Sequence, residues 1–479
     1  MAVTSSGDGN FSSVITGGLS VNDDVIINHD VTLDGPAPNV NSLVINSGKT
    51  LTGGGNKITL DGENGSGFVI TNDGSISGNL DLEINTTSPT SINIGGSAGN
   101  CFRDLKLNDA NVDLHLHTDT FIDGNLTIAA GQLTCATEAG AAKNLEVIGN
   151  VSLTGTLTGN ASAVTLGSLT INSAGTYSAT SGTTTLTSEG TFWALDVVQG
   201  GTFTHNNGTV TVTTNTNTLI RGMEGDDTSG TGANALNNLI VNLGSDSYRL
   251  EMDYLASDDS CVIAGDLTIT RGKFYPRSTD DDGNSFTVTG DVLVSADGLY
   301  GVASRTGADS FGSVTIASGG EFIATRGTTT ITDEVNSYAL DNAGTFTHNN
   351  GKVKIDFNTP NNSYDTLVRC DELYDLEIEM DSTAYETKLR PASGTANTIL
   401  NNLTLTQGIF EKNSAAHTLD IHGLTNIAAN GIFMEDTNED TNTITHHGLV
   451  RNSGTYKIND GTTVKMNGGI RNLGTITVA

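Results

Sequence analysis

The sequence predicts an all-β chain built as a repeat-containing parallel β-helix, or β-solenoid. Three observations carry this expectation. Apolar residues alternate over short stretches, as at Leu169 and Ile171 or Val210 and Val212, which is the period of a strand with one buried face. Glycines cut the chain into short pieces, in one stretch at Gly167, Gly175, Gly182, Gly190, Gly200 and Gly208. Similar segments recur at a long, nearly constant spacing, while helix signals are almost absent.

Taken in order, residues 1–40 are the least regular and are expected to form an N-terminal cap or attachment segment. The solenoid is expected over 41–479. Strong strands at Leu43, Phe68, Leu105, Leu126, Leu145 and Leu169 follow one another at 25, 37, 21, 19 and 24 residues. Most of these gaps suit one coil holding two or three short strands. Coils stacked at the inter-strand spacing of about 4.8 Å would number about twenty and extend on the order of 100 Å.

The long repeats are expected near 102–235, 236–372 and a shortened 373–479. They open with RDLKL at Arg103, NNLIV at Asn237 and YDLEI at Tyr374. GNLTI at Gly124 returns as GDLTI at Gly265 and as NNLTL at Asn401, and SGTTTLTSE at Ser181 as RGTTTITDE at Arg326. GTFTHNNG at Gly201–Gly208 recurs unchanged at Gly344–Gly351. A sandwich would also give many short strands, but hairpin signals are few here. Units of about 140 residues do not divide into propeller blades of about 40 to 50.

Composition agrees. The chain has 58 Gly, 6 Pro, 36% hydrophobic and 16% charged residues, too few apolar groups for a thick core and too few charges for disorder. A narrow solenoid interior reconciles the two. With 54 acidic and 22 basic residues the net charge is −32, which repels phosphate and argues against nucleic acid as a partner. Cys101, Cys135, Cys261 and Cys370 lack metal-ligand or paired spacing and read as buried thiols. The first residues lack the basic start and apolar run of a secretory signal, and no segment approaches a membrane-spanning length.

LTITRGKF at Leu267 and LTLTQGIF at Leu403 share an L-T-I-x-x-G-x-F pattern. Together with GTFTHNNG, they resemble the β-helical structural proteins of tailed bacteriophages and some bacterial surface adhesins. The likeness covers residues 41–479 and rests on repeat style. It implies a rod-like appendage, often trimeric, and assigns no functional residue.

Candidate chemistry is sparse. In the octapeptide, Phe203 and Phe346 are expected inside, Asn207-Gly208 and Asn350-Gly351 to supply positive φ, and His205 and His348 to sit beside the turn. Neither His has a distinctive catalytic partner in sequence. His115 and His117 share a strand face and could begin a zinc site, but no further ligand has matching spacing. His446 and His447 point to opposite faces. Acidic groups at Asp280–Asn284, Glu224–Asp227, Glu435-Asp436 and Glu439-Asp440 lack a calcium-loop pattern and read as solvated loops. The Gly53–Gly55 run lacks the Lys of a phosphate loop. The Asn125-Leu126-Thr127 sequon reflects Asn and Thr abundance. No catalytic or metal residue and no cofactor is therefore assigned.

The expected function is a non-enzymatic structural protein of a phage virion: a fibre, spike or capsid decoration at the particle surface. Its expected partners are further copies, as a trimer, other virion proteins and a host-surface glycan, with no membrane insertion. A surface adhesin and a polysaccharide-degrading tailspike are the alternatives. The repeat pattern runs to the last residues, so 460–479 are expected to be buried against another copy or another virion protein.

Overall fold

The computed structural model describes all residues except 17, 37–38, 87–88, 188–191, 224–233, 254–260, 277–283, 358–364, 393–395, 413–416, 436–442, 460–461 and 479. Strands account for 55% of the chain and helix for 1%, arranged as parallel coils in a β-solenoid of about 18 turns. This is the expected fold class, with slightly fewer coils than the spacing suggested. The chain divides into two compact units, built mainly from residues 1–223 and 239–479. Among the described residues no helix is long and apolar enough to cross a membrane.

In the first unit, parallel pairing begins with Ala2–Thr4 on Asp24–Ile27, which lies in turn on Ser42–Ile45. A ten-stranded sheet continues coil by coil to Thr202–Thr204. Gly9–Asn10, Val31–Thr32, Thr50–Thr52 and Ser75–Ser77 form a second face of the early coils. Within the segment expected to cap the chain, the short helix Phe11–Val14 buries Phe11 and Val14.

Alternation places one residue type at one level of every coil. Register stacks Leu82, Leu105, Leu126, Val151, Leu169 and Leu195 into a continuous interior column. Each is at most 1% exposed. Burying a side chain of this size contributes about 1.5–3 kcal/mol, so single-file columns stabilise a chain that has few apolar residues.

Two devices fix the register at the corners. At several corners an Asn or Asp, just after a glycine at Asn125 and Asp266, accepts with its side-chain oxygen the backbone N–H at the same level of the next coil. Asp104 accepts from Asn125 at 2.7 Å, and Asn125 from Asn150 at 2.9 Å. The glycines themselves stack: a Cβ on Gly149 would lie 2.5 Å from the Gly124 carbonyl oxygen. No side chain fits at Gly149, Gly167 or Gly312, where a Cβ would meet the carbonyl oxygen of the neighbouring coil, which accounts for glycine at these corners.

The second unit repeats the scheme. Leu239, Leu267, Val292, Val314, Leu340 and Val368 form its interior column. Asp266 accepts from the Asp291 N–H at 2.9 Å, and Asp375 from the Asn402 N–H at 2.7 Å. Beside the column runs an aromatic file of Phe274, Tyr300, Phe322 and Phe346. Tyr300 and Phe322 stack at 4.5 Å.

One ion pair is enclosed here: Arg305 Nε donates to Asp309 Oδ1 at 2.8 Å, and the Tyr300 hydroxyl to Asp309 Oδ2 at 3.0 Å. Both charged side chains are at most 2% exposed. In the last described coil, Ile470 and Ile476 continue the levels of buried Val450 and Tyr456 but lie open, as do Leu473 and Val478.

Candidate functional site

The duplicated octapeptide is a coil-joining turn. The His205 carbonyl accepts the Gly208 N–H at 2.8 Å, with φ of 47° at Asn206 and 59° at Asn207. Two successive left-handed residues make a type I′ turn, a conformation Asn tolerates better than most side chains. Asn349 and Asn350, at 52° and 61°, repeat it. The expectation that Asn207-Gly208 and Asn350-Gly351 carry the positive φ is corrected: the left-handed pair lies one residue earlier. Gly208 and Gly351 are needed for close approach instead. A Cβ on either would lie 2.9 Å from the Gly182 or Gly327 carbonyl oxygen, and nearer still to that of Thr180 or Thr325.

The histidines serve the same turn. His205 Nδ1 accepts the Asn207 N–H and His348 Nδ1 the Asn350 N–H, both at 2.9 Å. Asn206 Nδ2 reaches back to the Ala179 carbonyl at 2.7 Å, and Asn349 Nδ2 to that of Ala324 at 3.1 Å. Phe203 is buried and Phe346 stacks on Phe322 at 5.8 Å. In the second copy His348 Nε2 also faces Glu372 Oε1 at 3.3 Å. With Nδ1 accepting, the neutral ring carries its proton on Nε2, so both nitrogens are already engaged.

The duplication extends to residues outside the octapeptide. In Trp193–Val197 and Thr218–Arg221, Asp196 and Arg221 are register partners. Arg221 makes a bidentate pair with Asp196 at 2.8 and 2.7 Å, and its guanidinium lies 4.3 Å from the centre of the Trp193 ring. In Tyr338–Asn342 and Asp365–Arg369, Asp341 and Arg369 are partners. They form an ion pair, with the guanidinium 5.5 Å from the Tyr338 ring. An aromatic ring, a carboxylate and an Arg from successive coils therefore form a staple on the outer face of each unit. Planar bidentate pairing and stacking are what Arg provides and Lys does not. Phe192, 67% exposed, meets the Trp193 ring edge-on at 5.1 Å.

A dense charge cluster lies beside the second staple. Lys388 Nζ is 2.9 Å from Asp365, 3.6 Å from Glu386 and 3.9 Å from Glu411. Register sets Asp365 beside Glu386, and Lys388 beside Glu411. Burial, then the hydrogen bond and charge of Glu411, push the Glu386 carboxyl up to about 9 against the pull of Lys388. Burial works against the Lys388 charge, but the Asp365 hydrogen bond and the charges of Glu411 and Glu386 leave it raised.

The remaining candidates separate. His115 Nε2 lies 3.5 Å from Asp113, while His117 meets Phe68 edge-on at 4.9 Å. No group of three or more His, Cys, Asp or Glu suited to a metal occurs among the described residues. His446 is buried, whereas His447 faces outward to His422 and Asp420. Asp280 to Asp282, Glu224 to Asp227, Asp436, Glu439 and Asp440 lie outside the described residues. All four cysteines are buried, and burial pushes Cys135 and Cys370 up to about 12, far from a reactive thiolate.

Sequence reading missed both staples and the Lys388 cluster, because their members lie one coil apart. The similarity of FWALDV to SYALDN, each one coil before an Arg, was the available signal. No family model matches the chain, and neither a curated protein nor a solved structure matches it.

Proposed function

We propose that the protein is a structural element, a β-solenoid whose role is mechanical and spatial, in a virion fibre, spike or capsid decoration of a tailed phage. One observation carries this reading: the residues the chain repeats most faithfully join one coil to the next. Asn206, Gly208, Asp196 and Arg221 have second-unit counterparts that make corresponding coil-to-coil contacts, and His205 and His348 brace the turn that carries them. A duplicated catalytic centre would instead hold its copies around a shared cleft chemistry, with a base and a nucleophile left available for substrate.

An assembly of several copies, a trimer at the particle surface, is part of the same proposal. Antibody labelling of native particles in the electron microscope tests the reading. Labelled appendages or capsid sites are expected; label confined to host membranes would favour an adhesin instead. A polysaccharide-release assay tests the enzymatic alternative. Saturable turnover abolished by Glu386→Gln or Glu411→Gln would overturn the structural role.

A further inference from the structure

His446 stands where an aliphatic residue belongs. Ile399, Ile421, His446 and Met466 occupy one level of successive coils. Its neighbours have changed with it. Thr425 takes the place held by Leu403 one coil earlier and Val450 one coil later, and Tyr456 follows Phe410 and Phe433. These substitutions meet: Thr425 Oγ1 lies 2.8 Å from His446 Nδ1, and the Tyr456 hydroxyl 2.9 Å from His446 Nε2. All three side chains have no exposed surface. Phe433 stacks on Tyr456 at 4.6 Å and closes one side of the imidazole at 5.6 Å.

Among the described residues, the groups recorded against the imidazole are neutral. Thr425 and Tyr456 offer neutral hydroxyls, and Ile421, Met466 and Phe433 offer none. Asp420 on Thr418–Ile421, Arg451 on Val450–Asn452, Lys457 on Thr455–Ile458 and Lys465 on Thr463–Met466 alternate outward, whereas Lys412, two residues beyond Phe410 and the register partner of Glu435, is itself buried. Asp420 faces His447, 3.6 Å away, and His447 stacks on His422 at 4.7 Å.

We propose that His446 is an acid-sensitive latch: neutral, it ties three interior columns together, and protonation unstacks the coils between Thr418 and Met466. Burial, with a smaller contribution from His447, holds the ring down to about 4. An opened coil returns it to the ordinary range near 6.5. The closed state is therefore fully favoured above pH 6.5 and loses ground as pH falls from there toward 4.

Hydrogen exchange read by mass spectrometry on the full chain tests this, with rates corrected for intrinsic pH dependence. Between pH 7.5 and 4.5 the opening constant of 418–466 should rise between about 10-fold and 100-fold, the linkage of one proton to such a shift. Peptides from Asp24 to Leu60 should show no comparable rise, and His446→Gln should remove the rise in 418–466. The latch is overturned if the wild type keeps its protection at pH 4.5, or if His446→Gln loses protection as the wild type does. Should the variant fail to fold, titration of the nine histidine rings by NMR decides in the wild type. A His446 ring that titrates above pH 6 in the folded chain refutes the latch; one still neutral at pH 5 supports it.

Discussion

Replacing Gly208 by Ala separates two explanations of why the octapeptide ends in glycine. If glycine were there for positive φ, alanine would cost about 1–2 kcal/mol through the left-handed conformation. The structure assigns that conformation to Asn206 and Asn207 and leaves Gly208 wedged under the preceding coil. A methyl group there overlaps the Thr180 and Gly182 carbonyl oxygens. Relief requires lifting the start of Thr209–Val212, which is anchored by the Thr209 N–H on Gly182 O at 2.8 Å. Overpacking of about 1–3 kcal/mol plus one lost hydrogen bond of about 1 kcal/mol gives about 2–4 kcal/mol. Asn207→Gly, which keeps the turn conformation, should change stability by less than about 0.5 kcal/mol, and Asn207→Ala should cost about 1 kcal/mol. Urea unfolding followed by circular dichroism gives the ranking. Exchange protection of 202–212 localises it, since repeat arrays need not unfold in two states. Gly351→Ala, under Thr325 and Gly327, provides an independent repetition. If either Gly→Ala change is silent while Asn207→Ala is severe, the close-approach explanation fails.

Other outcomes follow from the same geometry. Asp309→Ala strands a buried Arg305 and should cost about 3–5 kcal/mol in chemical denaturation, whereas replacing both residues with apolar ones should cost much less. Glu386 holds its proton when folded, so this carboxyl favours the fold below about pH 4.5 and loses that contribution as pH rises toward about 9. Glu386→Gln should therefore be more stable than the wild type at pH 8–9 and little different at pH 5, as read by thermal unfolding at both. Arg221→Lys should not rescue Arg221→Ala, because one ammonium cannot both pair bidentately with Asp196 and stack on Trp193. Each should lower protection of 193–221 by about 1–2 kcal/mol.

The solenoid was legible because alternation at Leu169, Ile171, Val210 and Val212 is a local property, and local properties survive in a one-dimensional reading. The same alternation placed His446 and His447 on opposite faces. What escaped were relations across the stack. Arg221 finds Asp196, and Lys388 finds Asp365 and Glu411, at separations set by corner lengths that vary from coil to coil. Interior polar residues escaped for a different reason. At Asp309 and His446 the period says inside while the residue type says outside, and only partners from other coils, Arg305 with Tyr300 and Thr425 with Tyr456, resolve the conflict. The octapeptide was placed correctly as architecture, but its φ pattern was misread by one residue, because an Asn-Gly pair is the commoner left-handed turn.

The corner ladder of Asn and Asp has an evolutionary consequence. Because Asp104 serves the N–H of Asn125 and Asn125 serves that of Asn150, a coil with Asn or Asp at this corner presents an acceptor on one side and a donor on the other. Any two coils of this type form a compatible junction. Whole coils can thus be copied or deleted in frame without refitting either neighbour, whereas inserting one residue into a strand would turn its inward side chains outward. Length in such a chain is inherited in steps of a coil, and the three copies of G/N-N/D-L-T-I/L at Gly124, Gly265 and Asn401 are what repeated copying of that kind leaves behind.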